Sequence, residues 1–367
     1  MRCQQAGFRK VLRLTVSPPP AGPILAWARA AGFAAAGIVD PRLLAPWAAH
    51  VRELRASGLL SRESLSGLEW DWVLDPAGWA SRATILAVCL SCAPRGPSDL
   101  SAPGDPHALI APFARVHHYR RAVRALGPVA RRIEADLGLA RGAVRVFSNS
   151  RIPEKPLLVA SGLAAYGRNG LAIARGLGSL FVIAGAVIPV ATERLLEGPR
   201  RAATSPCASC TRCIDGCPAG AIVAPGRVDP SRCLQARATA AAEMPSSVME
   251  MWGVRLYGCQ DCQSVCPANR NVPAAAPVEG EPGPSVSIRR LLSLEPPAVK
   301  AWFRGTAMGM SWVSGEALLR NALIAAGNRG DKTLAGDVAR FLPSADPVLR
   351  HAAAWAMERL SVDASRL

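Results

Sequence analysis

The chain has 367 residues, half of them hydrophobic, and its 43 Lys and Arg outweigh 27 Asp and Glu to give a net charge of +16. That length allows two or three domains with a sizeable core, and the hydrophobic share excludes an intrinsically disordered protein. The longest apolar run, Gly176 to Ala191, contains Gly178, Gly185 and Pro189. It falls short of the ~20 residues that a membrane-spanning helix needs, so buried strands and no membrane association are expected.

In chain order, the first 20 residues carry Arg2, Arg9, Lys10 and Arg13 ahead of Ser17-Pro18-Pro19-Pro20. The prolines break any leader-like apolar segment, so residues 1–20 read as a disordered extension of a cytoplasmic protein. Ile24 to Ala31 predicts a short amphipathic helix with Gly32 as its C-cap. Ala34 to Val39 is small and apolar and stops at Asp40-Pro41, and Ile85 to Leu90 predicts a buried strand. Tyr119 to Leu137 predicts a basic helix, with Val123, Leu126, Val129, Ile133 and Leu137 on one face. Val144 to Phe147 and Leu180 to Ile183 predict further strands. Helices and strands mixed in one block imply an α+β domain over residues 21–200.

Eight of the eleven cysteines follow within 60 residues. Cys207, Cys210, Cys213 and Cys217, with Pro218, read C-x2-C-x2-C-x3-C-P, the bacterial ferredoxin run in which the fourth cysteine serves the other [4Fe–4S] cluster. Cys259, Cys262 and Cys266 with Pro267 form a second run, and Cys233 lies between. Eight thiolates suit two cubanes. The ferredoxin rule supports the crossing of Cys217 and symmetry suggests that of Cys266, which assigns Cys207, Cys210, Cys213 and Cys266 to one cluster and Cys217, Cys233, Cys259 and Cys262 to the other. Structural zinc is the blander alternative, but the first run is too tight for one tetrahedral ion. Disulfides would need an oxidising compartment. Cys89 and Cys92 flank an apolar run and read as small buried hydrophobes.

The cysteine domain spans 201–285 and ends in a Pro/Gly/Ala-rich linker, Val272 to Ser285. The tail, 286–367, predicts helices over Ala317 to Ala326, closed by Gly327-Asn328, then Leu334 to Phe341 and Pro347 to Leu360. Short helices with one apolar face each predict a stacked helical repeat. The basic balance points to a polyanionic partner, although an arginine- and alanine-rich composition from GC-rich coding would produce the same excess.

The phrase Tyr257-Gly258-Cys259-Gln260-Asp261-Cys262-Gln263-Ser264-Val265-Cys266-Pro267-Ala268-Asn269 resembles epoxyqueuosine reductases. So do Gly162-Leu163-Ala164-Ala165-Tyr166-Gly167-Arg168-Asn169, Leu319-Arg320-Asn321-Ala322-Leu323 and His351-Ala352-Ala353-Ala354-Trp355-Ala356. The resemblance implies a nitroreductase-like cobalamin-binding domain, a ferredoxin-like double [4Fe–4S] domain and an all-α HEAT-like C-terminal region. It implies a monomeric enzyme in which the clusters feed electrons from a low-potential donor, such as flavodoxin or ferredoxin, to base-off cobalamin. The reduced corrinoid then opens the epoxide of epoxyqueuosine in tRNA to give queuosine. Cofactor contacts implied by the resemblance are Gly162, Gly167, Arg168, Asn169, Gln260 and Asp261.

One departure stands out. The family carries a catalytic Asp six residues before a Glu; counting back from Glu154, Ser148 stands there, or Asn149 with a one-residue shift. Hydroxyl and amide are not useful acids near neutral pH. Ser148, Asn149, His118 and Tyr166 are the candidate catalytic residues, with His117 beside them as a replacement donor or cobalt ligand. For the histidines a plain place at a helix start is the competing reading, for Tyr166 packing, and for Glu154 a structural carboxylate. Trp70, Trp72 and Trp79 could stack on a base or a corrin edge, or pack in the core. Two other functions remain open: a related reductase of another small molecule, and a two-cluster electron carrier without corrinoid chemistry.

Overall fold

The computed structural model describes residues 22–56, 79–150, 152–195, 202–278 and 280–361. The expected extension over 1–20, together with Trp70 and Trp72 and the side chain of Trp79, lies outside the described residues. The described residues fall into two compact units. One is drawn from Met1–Ser91, Tyr119–Thr211 and Pro267–Pro273, the other from Cys92–His118, Arg212–Cys266 and Ala274–Leu367. No helix among the described residues is long and apolar enough to cross a membrane.

The first unit is built on a four-stranded antiparallel sheet, in the order Ala35–Val39, Thr84–Ser91, Phe181–Ile188, Arg145–Phe147. Side chains alternate across a strand, so Leu86 and Val88 face one way while Ile85, Ala87 and Cys89 face the other. The first pair packs under Ile24, Leu25 and Ala28 of the Pro23–Ala30 helix and Leu126, Val129 and Ile133 of the long basic helix. The second set packs with Leu157, Leu158, Ala164 and Ala174. Burial on both faces explains why Ile85 to Leu90 reads as an unbroken apolar run. Each buried Leu or Ile contributes about 1.5–3 kcal/mol. At the sheet centre, a Cβ on Gly185 would sit 2.5 Å from Cζ of Phe147 and 2.6 Å from the Leu86 carbonyl, so only glycine fits there.

In the second unit, Arg255–Tyr257 pairs parallel to His107–Ile110, and Ser285–Ser287 pairs antiparallel to that same strand. Short helices Arg212–Asp215, Leu234–Arg237 and Asp261–Ser264, with the hairpin Ile222–Ala224 and Arg227–Val228, carry the cysteine segment. The tail is helical, its longest members being Gly315–Arg329 and Pro347–Ser361. Between Ala317 and Gly327 the first of these is buried throughout.

Two expectations for the tail are corrected. Gly327 does not close its helix, which continues to Arg329 and ends at Gly330 in the left-handed conformation. A Cβ on Gly327 would lie 2.7 Å from Cζ3 of Trp355 and 3.0 Å from Cα of Ala356, so this glycine permits close helix approach instead. The Leu334 to Phe341 segment resolves into a 3-10 turn, Lys332–Leu334, and a short helix, Ala335–Ala339. Asp331 caps the turn by accepting from the Thr333 backbone N–H.

Candidate metal centre and neighbouring loops

None of the eight clustered cysteines forms a disulfide, and neither do Cys89 and Cys92. Cys207 and Cys210 belong to the first unit, and Cys213, Cys217, Cys233, Cys259, Cys262 and Cys266 to the second. In the first unit, the Cys210 N–H donates to the Cys207 carbonyl at 2.7 Å, curling the chain as tight cysteine spacing requires. This turn rests on the glycine-bracketed hairpin. Ser205 Oγ donates to the Tyr166 carbonyl at 3.1 Å, and the Arg168 guanidinium donates to the Ala208 carbonyl at 2.7 Å. Ala208 sits in the left-handed region, with φ +40°.

In the second unit, Cys213 lies on the Arg212–Asp215 helix, against which the Asp261–Ser264 helix bearing Cys262 packs. A Cβ on Gly216 would meet Val265 at 3.2 Å, so the two cysteine runs approach closely there. The Ala221 N–H donates to Cys217 Sγ at 3.3 Å, the kind of bond that tunes a thiolate ligand. Cys233 stands at the N-cap of Leu234–Arg237, and Gln235 on that turn accepts from the Cys259 N–H at 3.1 Å. Among the described residues, no three His, Cys, Asp or Glu side chains form a group that could hold a single metal ion. Cys89 is fully buried and its thiol is pushed well above its usual range; burial pushes that of Cys92 up to about 12. Both behave as core.

The loop before the Glu154–Ala160 helix carries the residues in place of the expected Asp. Ser148 Oγ donates to the Ile183 carbonyl at 2.6 Å, which ties it to the central sheet. Asn149 is exposed and left-handed, with φ +50°, a conformation that Asn tolerates. Glu154 holds this loop by accepting from the Ser150 N–H at 3.2 Å. Desolvation nevertheless lifts its carboxyl to about 7, against the opposing pull of the Ser150 and Asn149 N–H groups. Burial also drives the Tyr166 phenol far up, which makes it a poor proton donor.

Lys155 completes this picture. It is exposed to solvent and donates to the Gly170 carbonyl at 3.3 Å, yet desolvation lowers its pKa. Glu154 and Lys155 open the helix beside the hairpin that carries Tyr166, and Lys155 reaches that hairpin's Gly170 carbonyl. The signal for Glu154 and Lys155 in the sequence was no more than a carboxylate and an amine opening a helix.

The remaining sequence candidates are placed as follows. Gly162 and Gly170 take positive φ. Gly167 is required by its own hairpin, where a Cβ would lie 2.6 Å from Ile173 and 2.7 Å from Asn169. Asn169 is buried; its Oδ1 accepts from the Leu171 N–H, and its Nδ2 has no hydrogen-bond partner among the described residues. Asp261 pairs with Arg255 at 2.6 Å, and the Gln260 carbonyl accepts from Gln263 and Ser264. His117 and His118 fall in the second unit; His118 is buried at the start of its helix rather than partly exposed.

Residues 206–269, which include all eight cysteines, match the family described as a 4Fe-4S double cluster binding domain. The epoxyqueuosine reductase of Burkholderia pseudomallei is 32% identical over 283 residues, covering 69% of this chain and 67% of that protein. The epoxyqueuosine reductase of Bacillus subtilis is 33% identical over 158 residues, covering 42% of this chain and 40% of that protein. A solved epoxyqueuosine reductase with an epoxyqueuosine-modified tRNA-Tyr stem loop superposes with a TM-score of 0.78 at 21% identity, over 92% of this chain and 89% of that one. The Bacillus subtilis enzyme with its aspartate catalytic loop swung out of the active site gives 0.76 at 22% identity, over the same shares of the two chains. The mixed α/β fold is therefore shared with these structures.

Proposed function

The chain belongs to the epoxyqueuosine reductase family, and we propose that it converts epoxyqueuosine to queuosine in tRNA, using two [4Fe–4S] clusters and a base-off cobalamin. The observation that carries this reading is the 32% identity with the Burkholderia pseudomallei enzyme, which extends over 283 residues and so reaches well beyond the cysteine segment 206–269. On this reading residues 21–200 form a nitroreductase-like cobalamin-binding domain, 201–285 a ferredoxin-like domain and 286–367 a HEAT-like region. The sheet covered on both faces and the long buried tail helix support it.

Cys207, Cys210, Cys213 and Cys266 would hold one cluster and Cys217, Cys233, Cys259 and Cys262 the other. Thiols that no disulfide ties up, and an N–H already directed at Cys217 Sγ, fit that role. For the corrinoid, the loop bearing Gly162, Gly167, Arg168 and Asn169 fits a polar-edged group, because the buried Asn169 Nδ2 has no hydrogen-bond partner among the described residues. When bound, the clusters supply single electrons at low potential and the cobalamin a strongly nucleophilic metal centre.

Turning an epoxide into an alkene takes two electrons and two protons and releases water. The electrons come from a low-potential donor of the flavodoxin or ferredoxin kind. Of the groups around the loop, Glu154 is the one whose proton is available near neutral pH, because its carboxyl stays protonated to about 7. Ser148 orients the loop through the Ile183 carbonyl. The surplus of Lys and Arg draws the tRNA phosphates. A second reading, a related reductase of another small molecule, is favoured by one observation: Ser148 or Asn149 where the family has its Asp.

The test is expression in a strain lacking its own epoxyqueuosine reductase, with tRNA nucleosides measured by mass spectrometry. Queuosine should appear at the expense of epoxyqueuosine. If epoxyqueuosine persists while the expressed protein carries its clusters, the second reading takes over.

A further inference from the structure

Arg320 is a buried cation with no anion among the described residues to answer it. It lies in the Gly315–Arg329 helix and is 1% exposed. All five of its N–H donors are used, and every acceptor is neutral. Nε donates to Asn321 Oδ1 at 3.1 Å, one terminal nitrogen to the carbonyls of Ala240 and Ala242 at 2.5 and 2.8 Å, and the other to Arg237 O and Asn321 Oδ1 at 2.9 and 2.7 Å. Among the described residues no carboxylate pairs with it, and the charge felt most is the repulsive one of Arg237. Burial lowers its pKa to about 10, which leaves it positive at neutral pH. A buried charge normally persists only when an opposite charge offsets the loss of hydration.

The elements that Arg320 grips lead to cysteines. The Leu234–Arg237 helix runs from Cys233 to the Arg237 carbonyl, one turn of about 6 Å. Asn321 Nδ2 donates to the Ala238 and Leu256 carbonyls, at 3.2 and 2.9 Å. Leu256 lies in the strand that feeds Cys259, whose N–H in turn donates to Gln235 on the short helix. Arg320 and Asn321 thus clamp together the two segments that present Cys233 and Cys259. A cubane with four thiolates is a net anion, and its potential follows the charges around it.

We propose that Arg320 is the positive counter-charge to the cluster held by Cys217, Cys233, Cys259 and Cys262, and sets that cluster's potential above what an uncharged residue would allow. Arg320 is a positioning residue, and this inference rests on the double-cluster reading above. The charge makes adding an electron to the anionic cluster easier, while the five bonds keep it from moving.

The test is a redox titration of the full-length, anaerobically reconstituted chain, followed by electron paramagnetic resonance, with iron counted per chain. Asn321→Asp places a carboxylate against the guanidinium and cancels its charge, at the loss of the two Nδ2 donations to the Ala238 and Leu256 carbonyls. It should lower the midpoint of one cluster, the one missing from Cys233→Ser, and leave the other in place at unchanged iron content. Arg320→Met should do the same, and Arg320→Lys, which keeps the charge, should stay near the parent. Should Arg320→Met fail to fold, Asn321→Asp decides. Unmoved potentials in Asn321→Asp, equal shifts in both clusters, or an Arg320→Lys shift as large as that of Arg320→Met would overturn the proposal. A parent chain that takes up no clusters would instead overturn the double-cluster reading itself.

Discussion

The backbone N–H of Cys259 donates to Oε1 of Gln235 at 3.1 Å, so the start of the second cysteine run is fastened to the turn that Cys233 begins. A contact this short between two ligand-bearing segments supports their service to one cluster. Cys233→Ser and Cys259→Ser should each remove the same paramagnetic signal and about half of the roughly eight irons expected for two cubanes. If the two variants lose different signals, the division of the ligands is wrong.

Cys89 and Cys92 make the opposite case. Both are buried, with thiols pushed out of the reactive range. Cys89→Ala and Cys92→Ala should keep full iron content and lose on the order of 1 kcal/mol in stability, as small core truncations do. Iron loss in either would show that the set of eight ligands is misassigned.

Much of this was legible in the residues. The ferredoxin spacing identifies its own chemistry, and the apolar face through Leu126, Val129 and Ile133 is the buried one. Other features hide in principle. Strands Arg255–Tyr257, His107–Ile110 and Ser285–Ser287 are too short to show alternation, and they come from three distant segments. Gly327 looks like a stop because glycine ends many helices, but its reason is the Trp355 ring packed across it. The desolvation of Glu154 and Lys155 is a property of surroundings that no local pattern records.

Glu154 gives a pH dependence with a definite sign. Its folded-state carboxyl, raised to about 7 from an ordinary 4.5, holds a donatable proton below that pH and loses it above. Between those values the folded chain binds more protons than the unfolded one, so this group's contribution to stability falls as pH rises through the window. Turnover should likewise fall as pH rises through about 7, and Glu154→Gln, which can still accept from Ser150, should flatten that limb and slow the reaction. A profile identical to the parent's would remove Glu154 from the proton path.

Restoring the missing acid is the complementary experiment. An Asp at position 148 would face the Ile183 carbonyl that Ser148 now donates to, and could keep that bond only by carrying a proton. Ser148→Asp, or Asn149→Asp under the shifted alignment, should therefore rescue Glu154→Gln. General acids typically contribute about 10²–10⁴-fold, so the gain should be plain in single-turnover rates. No rescue from either would mean that the pocket around the loop has diverged.

The most direct measurement is anaerobic turnover of epoxyqueuosine-containing tRNA by the purified chain, reconstituted with iron, sulfide and cobalamin and supplied with a low-potential reductant. The account predicts queuosine in the tRNA, dependent on both clusters and on cobalamin. Unchanged epoxyqueuosine, under conditions in which the Bacillus subtilis enzyme converts the same tRNA, would contradict it.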